Sequence, residues 1–180
     1  MANYLGKADY NNALYIVDPQ VLSIEGGHTF RTSYRFTSVT NDASKNIYIK
    51  TGNYVVAGKA KYLVSENTEI YFYEASVIDV SGNALAYVNY NRNSSNAGSM
   101  EVYSDATVDT TGNEILHSYI PVASTGLPLG TSAGSGEQDM FWLLKPNTNY
   151  LLVMYNRSGG DASNIGVELL AREEPNYAAL

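Results

Sequence analysis

Residues that could carry out chemistry are few in this sequence, and they are widely spaced. The two histidines, His28 and His117, belong to no HxH or HExxH metal-binding pattern, so each is predicted to be a strand or surface residue. Cysteine is absent, which excludes disulfides, thiolate metal sites and cysteine nucleophiles. There is no phosphate-binding glycine loop. The sequence therefore predicts no catalytic residue, no metal site, no cofactor and no enzymatic activity.

The one repeated acidic motif is Asp-x-x-Gly-Asn, at residues 79–83 and 109–113. Asp79 and Asp109 are possible calcium ligands, but neither turn has the density of carboxylates that a calcium loop needs. Aspartate can instead bond to its own backbone, and glycine or asparagine can adopt a positive φ, so the motif favours a tight turn. Residues 100–116 repeat the start of the stretch 70–92 with an offset of thirty. Gene duplication and convergent turn chemistry both explain this repeat.

The elements that must position these residues are predicted to be strands. Residues 70–92 are predicted to form a hairpin of two strands joined at 79–83. In residues 29–39, Phe30 and Phe36 share one face, while Arg31 and Arg35 share the other and point to solvent or a partner. Residues 46–51 and 54–64 alternate in the same way, with Lys59 and Lys61 pointing outward, and Gly58 indicates a bend or bulge. No stretch predicts an amphipathic helix of ten residues or more.

The fold predicted from this pattern is all-β: an antiparallel, jelly-roll-like β-sandwich of about nine to eleven strands. Residues 1–20 are predicted to form a short N-terminal arm, and residues 21–180 a single domain. The Gly- and Pro-containing segment 121–139 is predicted to be a functional loop or a mobile insertion. Tyr150 follows Lys145 and Pro146 at the start of a strand, which is typical of a corner where the tyrosine bonds back to the backbone.

Charge and hydropathy limit the classes of partner. The formal net charge of −7 opposes phosphate backbones, so no nucleic-acid partner is expected. The N-terminus lacks the basic start and apolar run of a signal peptide, and no apolar run approaches the length of a membrane span. Sixteen tyrosines are available for half-buried faces and contact surfaces. Tyr71 and Tyr73 lie opposite Ile70 and Phe72, so this strand has two apolar faces, which favours cover by an oligomer or a partner.

Several motifs occur in an order that resembles a family of tailed-phage structural proteins. They are ENTEIYFYEASVIDVSGNAL, YNRNS, EVYSDATVDTTGNEIL, FWLLKPNTNYLLVMYNRSG and IGVELLAREE, spread over residues 61–173. Such proteins are similar to capsid decoration or cement proteins with a jelly-roll body. The resemblance implies a virion protein on the capsid surface that binds the major capsid protein and stabilises the head. It also implies a homo-oligomer, either a dimer or a trimer.

Partner-binding residues are predicted in the arm and at two strand exits. They are Tyr4, Tyr10, Tyr15, Arg92 and Arg157. The sequence Tyr-Asn-Arg at 90–92 recurs at 155–157, where each arginine either anchors its loop or contacts a partner. The alternative function is a carbohydrate- or receptor-binding module of a phage fibre or tail, because tyrosine-rich strands also suit sugar recognition. No set of residues supports a hydrolase.

Overall fold

The structure is a computed structural model, and it describes residues 23–122 and 140–174. Eleven strands of four or more residues lie in these ranges, together with two strands of two residues. The predicted arm at 1–20 and most of the predicted loop at 121–139 lie outside the described residues. The strands are β1 (Thr29–Val39), β2 (Ser44–Lys50), β3 (Val55–Val64), β4 (Thr68–Glu74), β5 (Val77–Val80), β6 (Asn83–Ala84), β7 (Val88–Asn89), β8 (Glu101–Ser104), β9 (Thr107–Thr110), β10 (Asn113–Ile120), β11 (Met140–Leu144), β12 (Asn149–Asn156) and β13 (Ser163–Glu174).

Eight of the strands follow jelly-roll order. The first half of the chain pairs with the second half in antiparallel fashion: β1 with β13, β2 with β12, β3 with β11, and β4 with β10. This long double ribbon is folded over, which places the strands in two sheets, ordered β11-β3-β13-β1-β7 and β10-β4-β12-β2-β8-β6. The predicted all-β, antiparallel, jelly-roll-like sandwich is confirmed.

The core lies between the five-stranded and the six-stranded sheet. In β1 the predicted alternation is confirmed, because Phe30 and Phe36 are buried while Arg31 and Arg35 are exposed. The core is aliphatic and aromatic, and its most deeply buried members are Ile47, Ile49, Val56, Ile70, Phe72, Tyr150, Leu152, Met154 and Ile165. Burial of these side chains provides the main driving force for packing the two sheets together.

Tyr150 makes the predicted corner. Its hydroxyl oxygen accepts a hydrogen bond from the Lys145 backbone N–H at 2.8 Å and donates one to the Glu74 carboxylate at 3.1 Å. Burial raises the pKa of Tyr150 to about 12, so the hydroxyl stays protonated and keeps both bonds. The turn before β12 is thereby joined to the end of β4.

The bend or bulge predicted at Gly58 is wrong. Gly58 pairs in regular register with Ala171 on one side and Trp142 on the other. A Cβ atom at this position would lie 2.9 Å from the Trp142 indole nitrogen. The glycine therefore makes room for the indole, which packs against Phe72 with 4.9 Å between the ring centroids.

The hairpin predicted for residues 70–92 is also wrong. Its strands do not pair with one another. Instead β4 pairs with β10, β5 with β9, and β6 with β8, so each strand of the first repeat pairs with a strand of the second. Gly82 and Gly112 both have the positive φ that the motif allows, at 88° and 86°. Local turn signals do not specify which strand lies alongside.

The two repeats are related by a local two-fold axis. Adding thirty to the first residue number and subtracting thirty from the second converts the paired residues Asn83 and Ser104 into the pair Asn113 and Glu74. The same operation converts the pair Val77 and Thr110 into the pair Thr107 and Val80. Asn83 thus contacts the counterpart of Glu74, and Glu74 contacts the counterpart of Asn83, as in a symmetric dimer interface. The central strands obey the same relation, because β2 pairs with β8 as β12 pairs with β4. The sequence repeat therefore has a structural counterpart.

The second apolar face of β4 is covered by the chain itself. Ile70 and Phe72 point into the main core, while Tyr71 and Tyr73 join a second cluster around Leu151 on the outer side of the six-stranded sheet. Ile78 of β5 and Val108 of β9 also pack on that cluster. The β5–β9 ribbon thus supplies cover that the sequence had assigned to an oligomer or partner. The predicted homo-oligomer stays a prediction.

Candidate functional site

Basic side chains are concentrated on the outer face of the five-stranded sheet. Residues facing away from the core on β1, β3 and β13 include Arg31, Arg35, Lys59, Lys61 and Arg172, and these five define the basic sheet face. Strand pairing sets Arg31 beside Leu170 and Lys59 beside the same leucine, so the positive charges run across neighbouring strands. Among the described side chains of this face, the acidic one is Glu168, which binds Arg31 at 2.9 Å.

Two cavities, each of about 370 Å³, adjoin the basic sheet face. The first is mainly apolar and lies beside Trp142, Leu143 and Leu170, with Lys59 and Arg172 also lining it. The second lies beyond β1, where Arg31 meets Tyr90 and Arg92. Both volumes fall in the range that small ligands or anchoring side chains of a partner occupy.

Large apolar side chains are exposed on the same face. Leu63 of β3 is 60% exposed and Leu143 of β11 is 67% exposed. These two side chains add apolar area that a partner protein could bury against this face. The combination is suited to a partner surface that is acidic and partly apolar.

Acidic residues are concentrated on the opposite side of the molecule. Asp79 of β5, Asp109 of β9 and Glu114 of β10 are all exposed there, on the ribbon and the adjacent edge of the six-stranded sheet. The chain therefore has a basic sheet face although its net charge is −7. The net charge of the whole chain does not indicate which partners that face binds. The residues that the structure describes include no helix able to cross a membrane.

Arg157 is held in a polar cluster on the six-stranded sheet. Its guanidinium donates to Glu69 at 2.8 Å and to Asp42 at 2.8 Å, and it lies over the Tyr155 ring at 4.7 Å. Glu69 also accepts from the Tyr71 hydroxyl at 2.8 Å and contacts the His117 ring at 2.9 Å. These contacts tie the loop after β12 to β4.

The Glu69 carboxylate gives a prediction about acid stability. The Tyr71 hydroxyl, followed by Arg157, lowers the pKa of Glu69 below its usual 4.5. A lowered folded-state pKa stabilises the fold above the unfolded pKa, and this contribution is lost as pH falls through the folded value. We expect the free energy of unfolding to decrease between roughly pH 5 and pH 3, and to decrease less steeply in Glu69→Gln. Urea denaturation at several pH values measures both slopes, and equal slopes would contradict the assignment.

The structure separates the predicted partner-binding residues. Tyr4, Tyr10 and Tyr15 lie outside the described residues. Arg157 belongs to the six-stranded sheet and anchors its loop, whereas Arg92 follows β7 on the five-stranded sheet. The exposed Arg92 guanidinium has no hydrogen-bond or ion-pair partner within 23–122 and 140–174. Of the two arginines, Arg92 is thus the one available to a partner.

The asparagine in each of the two Tyr-Asn-Arg motifs explains why the strand ends there. The Asn91 side-chain oxygen accepts from the backbone N–H of Asn93, and the Asn156 oxygen accepts from that of Ser158. Each side-chain amide also donates to a backbone carbonyl across the loop, Glu25 for Asn91 and Val39 for Asn156. Both motifs are therefore turns that end a strand, as predicted.

No grouping of His, Asp and Glu that could hold a metal ion is found in the described ranges. Asp79 and Asp109 each precede a positive-φ glycine in the two related turns. Both side chains are exposed and make no hydrogen bond within the described residues, so the backbone bonding predicted for these aspartates is not observed.

The basic sheet face was only partly visible in the sequence. The outward direction of Arg31, Arg35, Lys59 and Lys61 was predicted strand by strand, but Arg172 was missed. Its alternation with Ala171 was a usable signal. That these residues meet on one face depends on the strand order, which the sequence pattern does not specify.

Comparisons with known proteins identify no relative, since no protein-family model matches the sequence and a search of curated proteins finds no match.

Proposed function

We propose that this chain is a non-enzymatic virion protein of a tailed phage that binds the outer capsid surface and stabilises the head. The observation that carries the proposal is the basic sheet face with its exposed leucines, on a molecule whose other side is acidic. A jelly roll of this kind offers a rigid platform for such a face. The ordered motifs over residues 61–173 support the assignment to a phage.

The physical basis of the proposed stabilisation is the additional interface that the bound protein forms with the capsid. Packaged DNA presses outward on a capsid, and the junctions between subunits are its weakest points. A rigid sandwich that bridges a junction buries additional surface and raises the energy needed to separate the subunits. Positive charge on the docking face would accelerate its association with an acidic shell and hold it in one orientation.

Cosedimentation with expanded heads of the phage that carries this gene tests the proposal. The unmodified chain is expected to bind until the sites saturate and to raise the temperature at which the heads break open. The double variant Arg31→Gln/Arg35→Gln is expected to bind at least about tenfold more weakly. Excess free DNA should not compete, since binding that DNA abolished would indicate a nucleic-acid surface.

The matched control is Lys45→Gln/Lys50→Gln. It also removes two positive charges and breaks two surface ion pairs, with Asp105 and Glu101, but both lysines lie on β2 of the six-stranded sheet. Its binding is expected to match that of the unmodified chain. Absence of binding together with unchanged heads would refute the proposed function, and equal losses in both variants would refute the docking face.

A carbohydrate- or receptor-binding role in a fibre or tail is the second candidate. It is favoured by an aromatic surface on the six-stranded sheet, where Tyr71 and His117 stack at 4.3 Å and Tyr119 is 51% exposed two residues further along β10. Sugar rings stack on such surfaces. A glycan array that gave binding, lost in Tyr119→Ala, would rank this function first.

A further inference from the structure

Strand β1 is largely an open edge of the five-stranded sheet. It pairs along most of its length with β13, but its other neighbour, β7, covers only Phe30 and Arg31. Tyr90 donates its backbone N–H to the Thr29 carbonyl at 2.8 Å, which shows that odd-numbered residues direct their backbone groups toward β7. In the described ranges, the groups of Ser33 and Arg35 that point the same way have no strand beside them.

An open edge of this kind usually binds another strand unless something guards it. Beyond Phe36 the edge is guarded, because the register shifts between Phe36 and Val39 and Ser38 has a φ of 54°. Between Thr32 and Phe36 the strand is regular. A short extended segment can therefore add to β1 at this place and not further along.

The second cavity lies beside the open edge. It is lined by Arg31, Thr32, Ser33, Ala86, Val88, Asn89, Tyr90 and Arg92. Tyr90 is 48% exposed there, and Arg92 lacks a described partner. A cation and an exposed aromatic ring beside an open strand edge offer side-chain contacts to a segment that adds there.

Charge decides which strand fits. A second copy of this chain that added antiparallel through its own β1, with Ser33 opposite Ser33, would place Arg31 opposite Arg35 and Arg35 opposite Arg31, which is destabilising. A segment with acidic side chains at alternate positions would instead face these arginines and Arg92. Added strands gain affinity from backbone hydrogen bonds and specificity from alternate side chains.

We propose that the edge of β1 at Ser33–Arg35 binds an extended acidic segment of a partner protein as an added strand, with Arg92 pairing one of its carboxylates. The identity of the partner, the capsid protein, rests on the proposed function. The acidic, extended chemistry of the segment is inferred from the strand edge and does not depend on that function. It names β1 as the docking element within the basic sheet face.

A peptide experiment with the full chain tests the inference without capsids. The probe is a short capped peptide that alternates glutamate and threonine, and the control peptide has lysine in place of glutamate. Binding is followed by NMR, together with hydrogen exchange of the Ser33 and Arg35 amides. We expect the glutamate peptide to bind and to slow exchange of these amides about tenfold or more, and we expect binding to weaken as salt is raised.

Variants locate the site. Arg92→Gln is expected to weaken the glutamate peptide about threefold to tenfold, while Lys50→Gln, on the other sheet, should leave binding unchanged. Equal binding of the lysine peptide would overturn the inference. So would slow exchange of the Ser33 and Arg35 amides in the free chain, or a dimer that protects them without peptide.

The two proposals fail separately. If heads bind the chain but the glutamate peptide does not, the edge proposal is wrong and the proposed function stands. If the peptide binds and heads do not, the edge proposal stands and the capsid assignment is wrong.

Discussion

Replacing Gly82 or Gly112 by alanine is expected to lower the free energy of unfolding by about 3 kcal/mol in each case. Both residues have a positive φ, at 88° and 86°, which an alanine adopts only with strain. Both also leave no room for a side chain. A Cβ atom would lie 2.2 Å from the Ser104 carbonyl oxygen at Gly82 and 2.3 Å from the Glu74 carbonyl oxygen at Gly112.

The chain contains its own controls for this experiment. Gly159 has a φ of 81° but nothing within 4 Å of its Cβ position, so Gly159→Ala is expected to cost about 1 kcal/mol, the backbone strain alone. Gly160 has open space and no positive φ, so Gly160→Ala should be close to neutral. Urea denaturation of the four variants measures the series. Equal costs at Gly82 and Gly159 would contradict the close approach of the two repeats.

The local two-fold axis adds a further expectation. Because Gly82 contacts Ser104 as Gly112 contacts Glu74, the two substitutions should cost the same within about 1 kcal/mol. Sequence similarity alone does not predict this equality. Clearly unequal losses would show that the axis is a coincidence of strand pairing.

Replacing Glu173 by glutamine is expected to lower the free energy of unfolding by about 2–3 kcal/mol. The side chain is 2% exposed, and its carboxylate accepts the backbone N–H groups of Ser99 and Met100 at 2.9–3.0 Å. A glutamine would place an amide donor against backbone donors. The loss matters because this bond ties the insertion between β4 and β10 to β13.

Glu168→Gln is the matched control, because it makes the same chemical change on the same strand, β13. Glu168 lies two residues before Leu170 and, like Leu170, on the outer face of the sheet. Glu168 forms a surface ion pair with Arg31, and such pairs contribute about 1 kcal/mol or less. The expected order is therefore a large loss for Glu173→Gln and a small one for Glu168→Gln. Similar losses would mean that the Glu173 carboxylate does not hold the insertion.

Local pattern predicted the strands well, but it did not predict their partners. Alternation showed which side of β1 is buried, because a strand with one face in a core must alternate. The motif at 79–83 correctly indicated a positive φ at its glycine. It did not reveal that β5 and β6, on either side of the motif, pair with β9 and β8 of the other repeat and not with each other. Turn residues determine the local direction of the backbone, whereas strand pairing depends on residues that are distant in the sequence.

The docking face was harder to predict for the same reason. Arg31 and Lys59 are separated by a long stretch of chain and meet only because β13 lies between β1 and β3. Arg92 was predicted from its repeated motif, and the structure brings it beside Arg31 at one cavity. Arg157 carries the same motif, yet Glu69 and Asp42 bind its guanidinium. A sequence motif identifies a turn, but it does not determine which charges lie nearby.

A cryo-EM map of expanded phage heads saturated with the purified chain is the most direct test of the account. We predict density for the jelly roll on the outer surface of the shell, with the outer face of the five-stranded sheet turned toward the capsid and the β5–β9 ribbon toward solvent. Bare heads at saturating protein, or density with the ribbon against the shell, would contradict it.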